Sequence, residues 1–545
     1  MLVVRMFPGF LTVLSLLAVT VVFSGVVVAD ASSSSSTDSV KNTKDGVGSI
    51  RIPLTVIPMT ECYPDLVTDA FPSPWYEFLV LRLVVLVFFC SVQLLISLLC
   101  SQYNGMFQFG GDSPPPVSLL IDPGSSLVAV GKDFANVSQG DVTVLPGNSS
   151  VCQDIEDEGY APSYQAEECM FKSTYQSGQV IEGIVVQGPV SLTDAAGEDQ
   201  HGTMTHDELP MVFGIIEKTT EDGQGSSLSN GIVGVDRGNI SMLSQLYAAD
   251  VIAEKAFGQC GTSATENGSF AVFGGYKPNA SYQETTLYTG TEMSELGESL
   301  GEAFGKASLN IKDDTSGYYV VFSGLEVNGE RVQNASYENL PILFDTGTPS
   351  LILSREYVQG IVSYAKKTIA SGNYEYTVIE QTLPFVGEQI IVAPVSGEVD
   401  PAVVPEIFPN ITFVLGQGKA NITLPPEAYV GSATFEGQSG FVLRISVLGT
   451  SETLSEEDGL ILGVPFIYER FVQVDASAST MTVSDPASGC IFADDTPTAP
   501  PEGGSSMPPP EGGGSMPPPA SSMGTTGTNR LIILCCILLL GIIHV

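Results

Sequence analysis

Two stretches of this chain are built alike. Val117 to Val130 reads VSLLIDPGSSLVAV, and Pro341 to Ser354 reads PILFDTGTPSLILS. In each, three apolar residues (Leu119, Leu120, Ile121; Ile342, Leu343, Phe344) run into an aspartate. A glycine follows two positions later and a hydroxyl residue three positions later, before the apolar run resumes. A carboxylate at the end of a buried strand is costly to place unless it is used or compensated. Each copy also has a downstream apolar-apolar-Gly: Gly234 lies 112 residues beyond Asp122, and Gly463 lies 118 beyond Asp345. One Asp-x-Gly is an ordinary turn. Two, with matched partners at matched spacing, mark an internal duplication, and so two similar lobes that each present one aspartate.

Composition removes other classes. The chain has 545 residues, with 61 acidic against 21 basic, a net charge of −40. That balance argues against nucleic acid or an anionic membrane surface as partner. There are three histidines, His201, His206 and His544, and none falls in a His-Glu-x-x-His pattern. Ser-His-Asp and Cys-His catalysis and a histidine-rich metal site are therefore disfavoured; neither metal nor cofactor is expected.

The duplicated Asp-x-Gly-[Ser/Thr] with its downstream glycines resembles the pepsin-type aspartic peptidases, over roughly Tyr103 to Cys490. The resemblance implies an all-β, bilobal architecture of double-ψ β-barrels with a central cleft and a few short helices. It implies an aspartic endopeptidase that cuts extended peptides in acid, with Asp122 and Asp345 as a dyad that activates water. Gly124, Ser125, Thr346, Gly347 and Thr348 match the supporting positions. Tyr175-Gln176-Ser177-Gly178 resembles the flap hairpin, so Tyr175, Ser177 and Gly178 are expected over the substrate. Pepstatin-like inhibitors are expected ligands, and the protein a monomer. The sequence departs from the family at Pro123, where threonine is usual, and at Ala129, where tryptophan is common; Pro349 stands where serine is commoner. In the family each threonine reaches across to the opposite loop. Pro123 has neither hydroxyl nor N–H, so Thr346 alone is expected to hold that clamp. The competing class is a peptide-binding pseudo-enzyme of the same fold.

In order, residues 1–31 read as a secretory signal peptide, and 32–102 as a prosegment holding an apolar block at 78–100. That block is long enough to span a bilayer; a transmembrane helix, a buried prosegment helix and translated intron sequence are the open alternatives. Ile50 to Pro58 is either a prosegment strand or the first strand of the mature protein. The N-terminal lobe is placed at 103–315 and the C-terminal lobe at 316–495. Helices are expected over Ser241–Ala256 and Arg355–Ala370, and Thr289–Ser316 as a weakly patterned insertion. Cys152 and Cys169 bracket an acidic loop and are expected to pair, as are, by elimination, Cys260 and Cys490. Glycosylation is expected at Asn136, Asn148, Asn239, Asn267, Asn279, Asn334, Asn410 and Asn421. A Pro/Gly/Ser/Met stalk covers 496–528, and 529–545 is an apolar anchor signal, either for a lipid anchor or a short apolar tail. Together these point to the secretory pathway and the outer cell surface.

Overall fold

The computed structural model describes residues 50–58, 101–110, 116–135, 142–160, 167–175, 179–193, 204–220, 230–262, 269–276, 281–300, 315–333, 339–372, 374–383, 387–395, 399–435, 438–448 and 459–485. The signal peptide, the apolar block, the stalk and the terminal anchor lie outside them, as do Ser177, Gly178, Cys490 and the sequons at Asn136, Asn267, Asn279 and Asn334.

The described chain is mostly strand. The duplication read from sequence is a duplication in space. In the first lobe, strand Val117–Asp122 runs parallel to Gly231–Gly234, with Leu120 opposite Ile232 and Asp122 opposite Gly234; that second strand also pairs antiparallel with Val128–Gly131. In the second lobe, Leu340–Phe344 runs parallel to Leu460–Leu462, with Phe344 opposite Leu462, and Leu460–Leu462 meets Leu351–Leu353 through Ile461 and Ile352. Strands covered on both faces need continuous apolar runs rather than alternation. Accordingly Leu119, Ile121, Ile342 and Phe344 have no solvent exposure. The first lobe is built on a nine-stranded sheet; the second has sheets of eight and four strands.

The strands that close each lobe do not stay in it. Ala256–Gly261 of the first lobe pairs with Arg470–Asp475 of the second, Phe257 opposite Val474 and Gln259 opposite Val472. They form the middle of a six-stranded sheet that joins the lobes. Ile50–Pro53 is one edge of that sheet, paired with Phe270–Phe273. Thr55–Pro58 pairs antiparallel with Ser101–Phe109, with Pro58 opposite Ser101. One apolar core runs through both lobes and this sheet.

The helical reading changes in four places. The Ser241–Ala256 segment is helical only over Met242–Ala248, capped by the Ser241 hydroxyl on the Ser244 N–H; Asp250, at φ 55°, turns the chain away. The acidic loop between the cysteines holds a helix, Ser150–Asp157, with Ser149 as its cap. Within the expected insertion, Gly290–Leu300 is helical. Arg355–Gly372 extends the expected helix by two residues.

Candidate active site

Asp122 and Asp345 end their strands at the floor between the lobes, 6% and 9% exposed. Each carboxylate is cradled by its own loop: Gly124 N–H donates to Asp122 Oδ1 at 2.9 Å, and Gly347 N–H to Asp345 Oδ1 at 2.8 Å. Each glycine also backs onto the other lobe's carboxyl. A Cβ on Gly124 would stand 2.7 Å from Asp345 Cγ, and one on Gly347 2.8 Å from Asp122 Cγ. Side chains are excluded at both positions because the two carboxyl groups occupy that space. Gly124 itself is exposed, so the paired carboxyls can be reached from solvent.

Burial, and then the neighbouring Asp345 charge, push Asp122 well above the ordinary carboxylate range. Two acids this close and this dry do not both ionise readily, so Asp122 keeps its proton into less acidic conditions than an ordinary aspartate.

The loops differ in how they hold their acids. Thr348 donates its hydroxyl to Asp345 Oδ2 at 2.6 Å. Ser125, its counterpart, has a buried hydroxyl that makes no hydrogen bond; it lies near enough to draw Asp122 down slightly but outside bonding geometry. The clamp expected from Thr346 is also redirected. Its hydroxyl donates not to the opposite loop but to Gln259 Oε1 at 2.6 Å, in the sheet beneath. Pro123 has no N–H to offer Thr346, and both Thr346 and Gln259 are fully buried. Gln259 Nε2 has no partner among the described residues.

Tyr175 follows strand Met170–Thr174 and packs against the cluster of Leu120, Leu127, Ala129 and Phe171. Ala129, where the family commonly has tryptophan, is part of that surface. The Tyr175 hydroxyl is buried without a hydrogen bond, and burial plus the Asp122 charge hold its proton on. The Cys152–Cys169 bridge is present and ties the helix Ser150–Asp157 to the strand before Tyr175. Cys260 is disulfide-bonded; Cys490, its expected partner, is outside the described residues. Asn148, Asn239, Asn410 and Asn421 are all exposed.

Sequence reasoning missed the layer behind the first loop. The Tyr160 hydroxyl accepts the N–H groups of Ser126 at 3.0 Å and Leu127 at 3.3 Å. Asp236 accepts the Ser126 hydroxyl at 2.7 Å. A lone tyrosine gives no sequence signal, but Asp236 did: it is an acid two residues after the apolar-apolar-Gly strand, where the chain is still buried.

Residues 108–275 match the family model described as Xylanase inhibitor N-terminal, which spans the first loop, Tyr175 and Gly234. No curated protein sequence matches the chain. Among solved structures, edgp is similar over 82% of this chain and 98% of its own, at 14% identity and a TM-score of 0.53. Basic 7S globulin from soybean is similar over 80% and 95%, at 13% identity and 0.51. Conglutin gamma, a basic 7S globulin from lupine seeds, is similar over 82% and 98%, at 15% identity and 0.50. At these identities the likeness is one of fold, and a fold does not carry its chemistry with it.

Proposed function

We propose that this pepsin-like protein is an aspartic endopeptidase that hydrolyses extended peptides in acid, with Asp122 and Asp345 as its dyad. The observation that carries the proposal is the reciprocal approach of Gly124 to the Asp345 carboxyl and of Gly347 to the Asp122 carboxyl. It brings two buried acids to one accessible point with a proton to share. A water between them loses a proton to the ionised carboxylate as its oxygen attacks the peptide carbonyl carbon. The protonated partner gives its proton to the carbonyl oxygen. The tetrahedral diol then collapses, the C–N bond breaks, and the amine leaves with a proton returned from the dyad. The two acids titrate as a pair, so neither role is assigned to one residue. Tyr175 and the turn at Ser177 and Gly178 would cover the substrate.

The deciding experiment is hydrolysis of a peptide library by the purified chain at acid pH, with and without pepstatin. Pepstatin-sensitive cleavage that is absent from Asp345→Asn supports the proposal; no cleavage by the wild-type chain refutes it. A second reading, a peptide-binding pseudo-enzyme, is favoured by Pro123 and by the unbonded Ser125 hydroxyl. It predicts pepstatin binding without turnover.

The same proposal puts the protein in the secretory pathway and at the outer cell surface, as a glycoprotein released from a zymogen. A disulfide between Cys152 and Cys169 and four exposed sequon asparagines support that placement. Release from cells by phosphatidylinositol-specific phospholipase tests the lipid anchor against the apolar tail.

A further inference from the structure

Behind the first loop a second pair of carboxyls meets on one hydroxyl. The Asp236 N–H donates to the Ser125 carbonyl at 3.2 Å, beside the Val235 N–H on the Asp122 carbonyl at 2.9 Å. The Asp236 carboxyl, 2% exposed, accepts the Ser126 hydroxyl at 2.7 Å on Oδ2 and the Gly238 N–H at 2.8 Å on Oδ1. Glu158 arrives from the end of the helix Ser150–Asp157. Its Oε1 accepts the Asn239 N–H at 2.5 Å, while its Oε2 is buried with no donor on it. That oxygen lies beside Ser126: a Cβ on Gly238 would collide with Ser126 Oγ and stand 2.6 Å from Glu158 Oε2.

The protons can be counted. Ser126 has one hydroxyl proton, and Asp236 holds it. Glu158 Oε2 is then a buried acceptor without a partner, a costly arrangement. One proton placed on that oxygen completes the chain: Glu158 donates to Ser126 Oγ, Ser126 donates to Asp236, and Asp236 keeps the Gly238 N–H. Without it, both carboxylates draw on the Ser126 hydroxyl, and Asp236, which also has the Ser316 hydroxyl, leaves Glu158 Oε2 the poorer of the two.

We propose that Glu158, Ser126 and Asp236 form a one-proton latch on the first catalytic loop, closed when the two carboxyls hold one proton and slack when they hold none. The latch rests on the dyad assignment only for its effect on turnover; its effect on the loop stands apart from catalysis. Ser126 is a positioning residue here, two positions from Gly124 by way of Ser125 and joined to Asp122 through the backbone bonds of Val235 and Asp236.

The groups facing the pair are Tyr160, which holds the Ser126 and Leu127 N–H groups; Lys255, whose ammonium bonds the Arg237 carbonyl; Arg237, over the Tyr318 ring and 3.8 Å from Glu292; Tyr318, bonded to the Val235 carbonyl; Ser316, whose hydroxyl favours the Asp236 carboxylate; and Asp154, whose charge opposes ionisation of Glu158. The cations favour ionisation, and burial opposes it. Burial wins at Asp236, which is pushed up to about 7, and it also raises Glu158. Lys255 is pushed down by the same burial. A carboxyl held above its unfolded value stabilises the fold fully at acid pH, and that stability is lost as pH rises towards the folded value. The latch is therefore closed in acid and opens near neutrality.

The test uses the full chain and needs no turnover. Glu158→Gln supplies an N–H to Ser126 at every pH. Glu356→Gln, an exposed acid on the helix Arg355–Gly372, removes the same charge elsewhere. Amide exchange of the 117–131 peptide, corrected for intrinsic pH dependence, is measured from pH 5 to 8. Protection in the wild type should fall about tenfold across that range, and in Glu158→Gln by no more than about twofold. Glu356→Gln should follow the wild type, and Ser126→Ala should be weakly protected throughout. Glu158→Gln tracking the wild type overturns the latch, as does Glu356→Gln flattening the profile equally. A flattened profile in a protein that never cleaves peptide leaves the latch and removes the endopeptidase; cleavage with an unflattened profile does the reverse.

Discussion

Gly347 faces the carboxyl of Asp122 so closely that a methyl group on its Cα would stand 2.8 Å from Cγ. Such a contact can be relieved only by moving one lobe's acid away from the other. Gly347→Ala should therefore lower kcat by about 100-fold, the scale of a displacement near 1 Å. The loop is partly exposed, so the thermal midpoint should change little. Steady-state kinetics beside a melting curve checks both halves; unchanged turnover would place the acids further apart than described here.

Asp122→Asn and Asp345→Asn should each reduce hydrolysis to background. The first also makes a prediction about pH. Asp122 is held well above its ordinary value by burial and by Asp345. Its contribution to stability is thus complete in acid and declines as pH rises through the raised value. Asp122→Asn, which never charges, should melt at a higher temperature than wild type at pH 7 and show no such gain at pH 4. Melting curves at the two pH values decide it.

Pro123→Thr restores a hydroxyl and an N–H opposite Thr346. Because the Thr346 hydroxyl is already bonded to Gln259, the gain should come chiefly from the new N–H, about tenfold in turnover for roughly 1.4 kcal/mol. Thr346→Val should strand Gln259 and cost about 1–3 kcal/mol in stability. A slower Pro123→Thr enzyme would show that the proline is no handicap.

Replacing Cys152 and Cys169 together by serine opens a loop of sequence separation 17. The expected loss is about 3 kcal/mol of stability. Because the bridge also steadies the approach to Tyr175, KM should rise more than kcat falls. Chemical denaturation and kinetics on the double variant measure these.

The two aspartates, their glycines and the duplicated strand pairs were legible because each lobe repeats the same local pattern, and the repetition excludes chance. The helix Gly290–Leu300 was not read from the sequence, where the segment passed for a weakly patterned insertion, because its signal is one residue wide on each side. Thr289 takes the Glu292 N–H at 3.1 Å and Glu292 takes the Thr289 N–H at 2.6 Å, a reciprocal cap of the Thr-x-x-Glu kind. The helix Met242–Ala248 was overextended because apolar spacing continues past Ala248 while the backbone turns at Asp250. Gln259 and Tyr160 were not legible. Each acts on a loop at least 33 residues away in sequence, through contacts that only the folded sheets create.

Pro58 lies opposite Ser101 in an antiparallel pair, so the chain departs after the one and returns before the other at the same edge of the same sheet. The two strands therefore bring their ends to one point of the sheet edge, and the start of the first lobe depends on that junction staying closed.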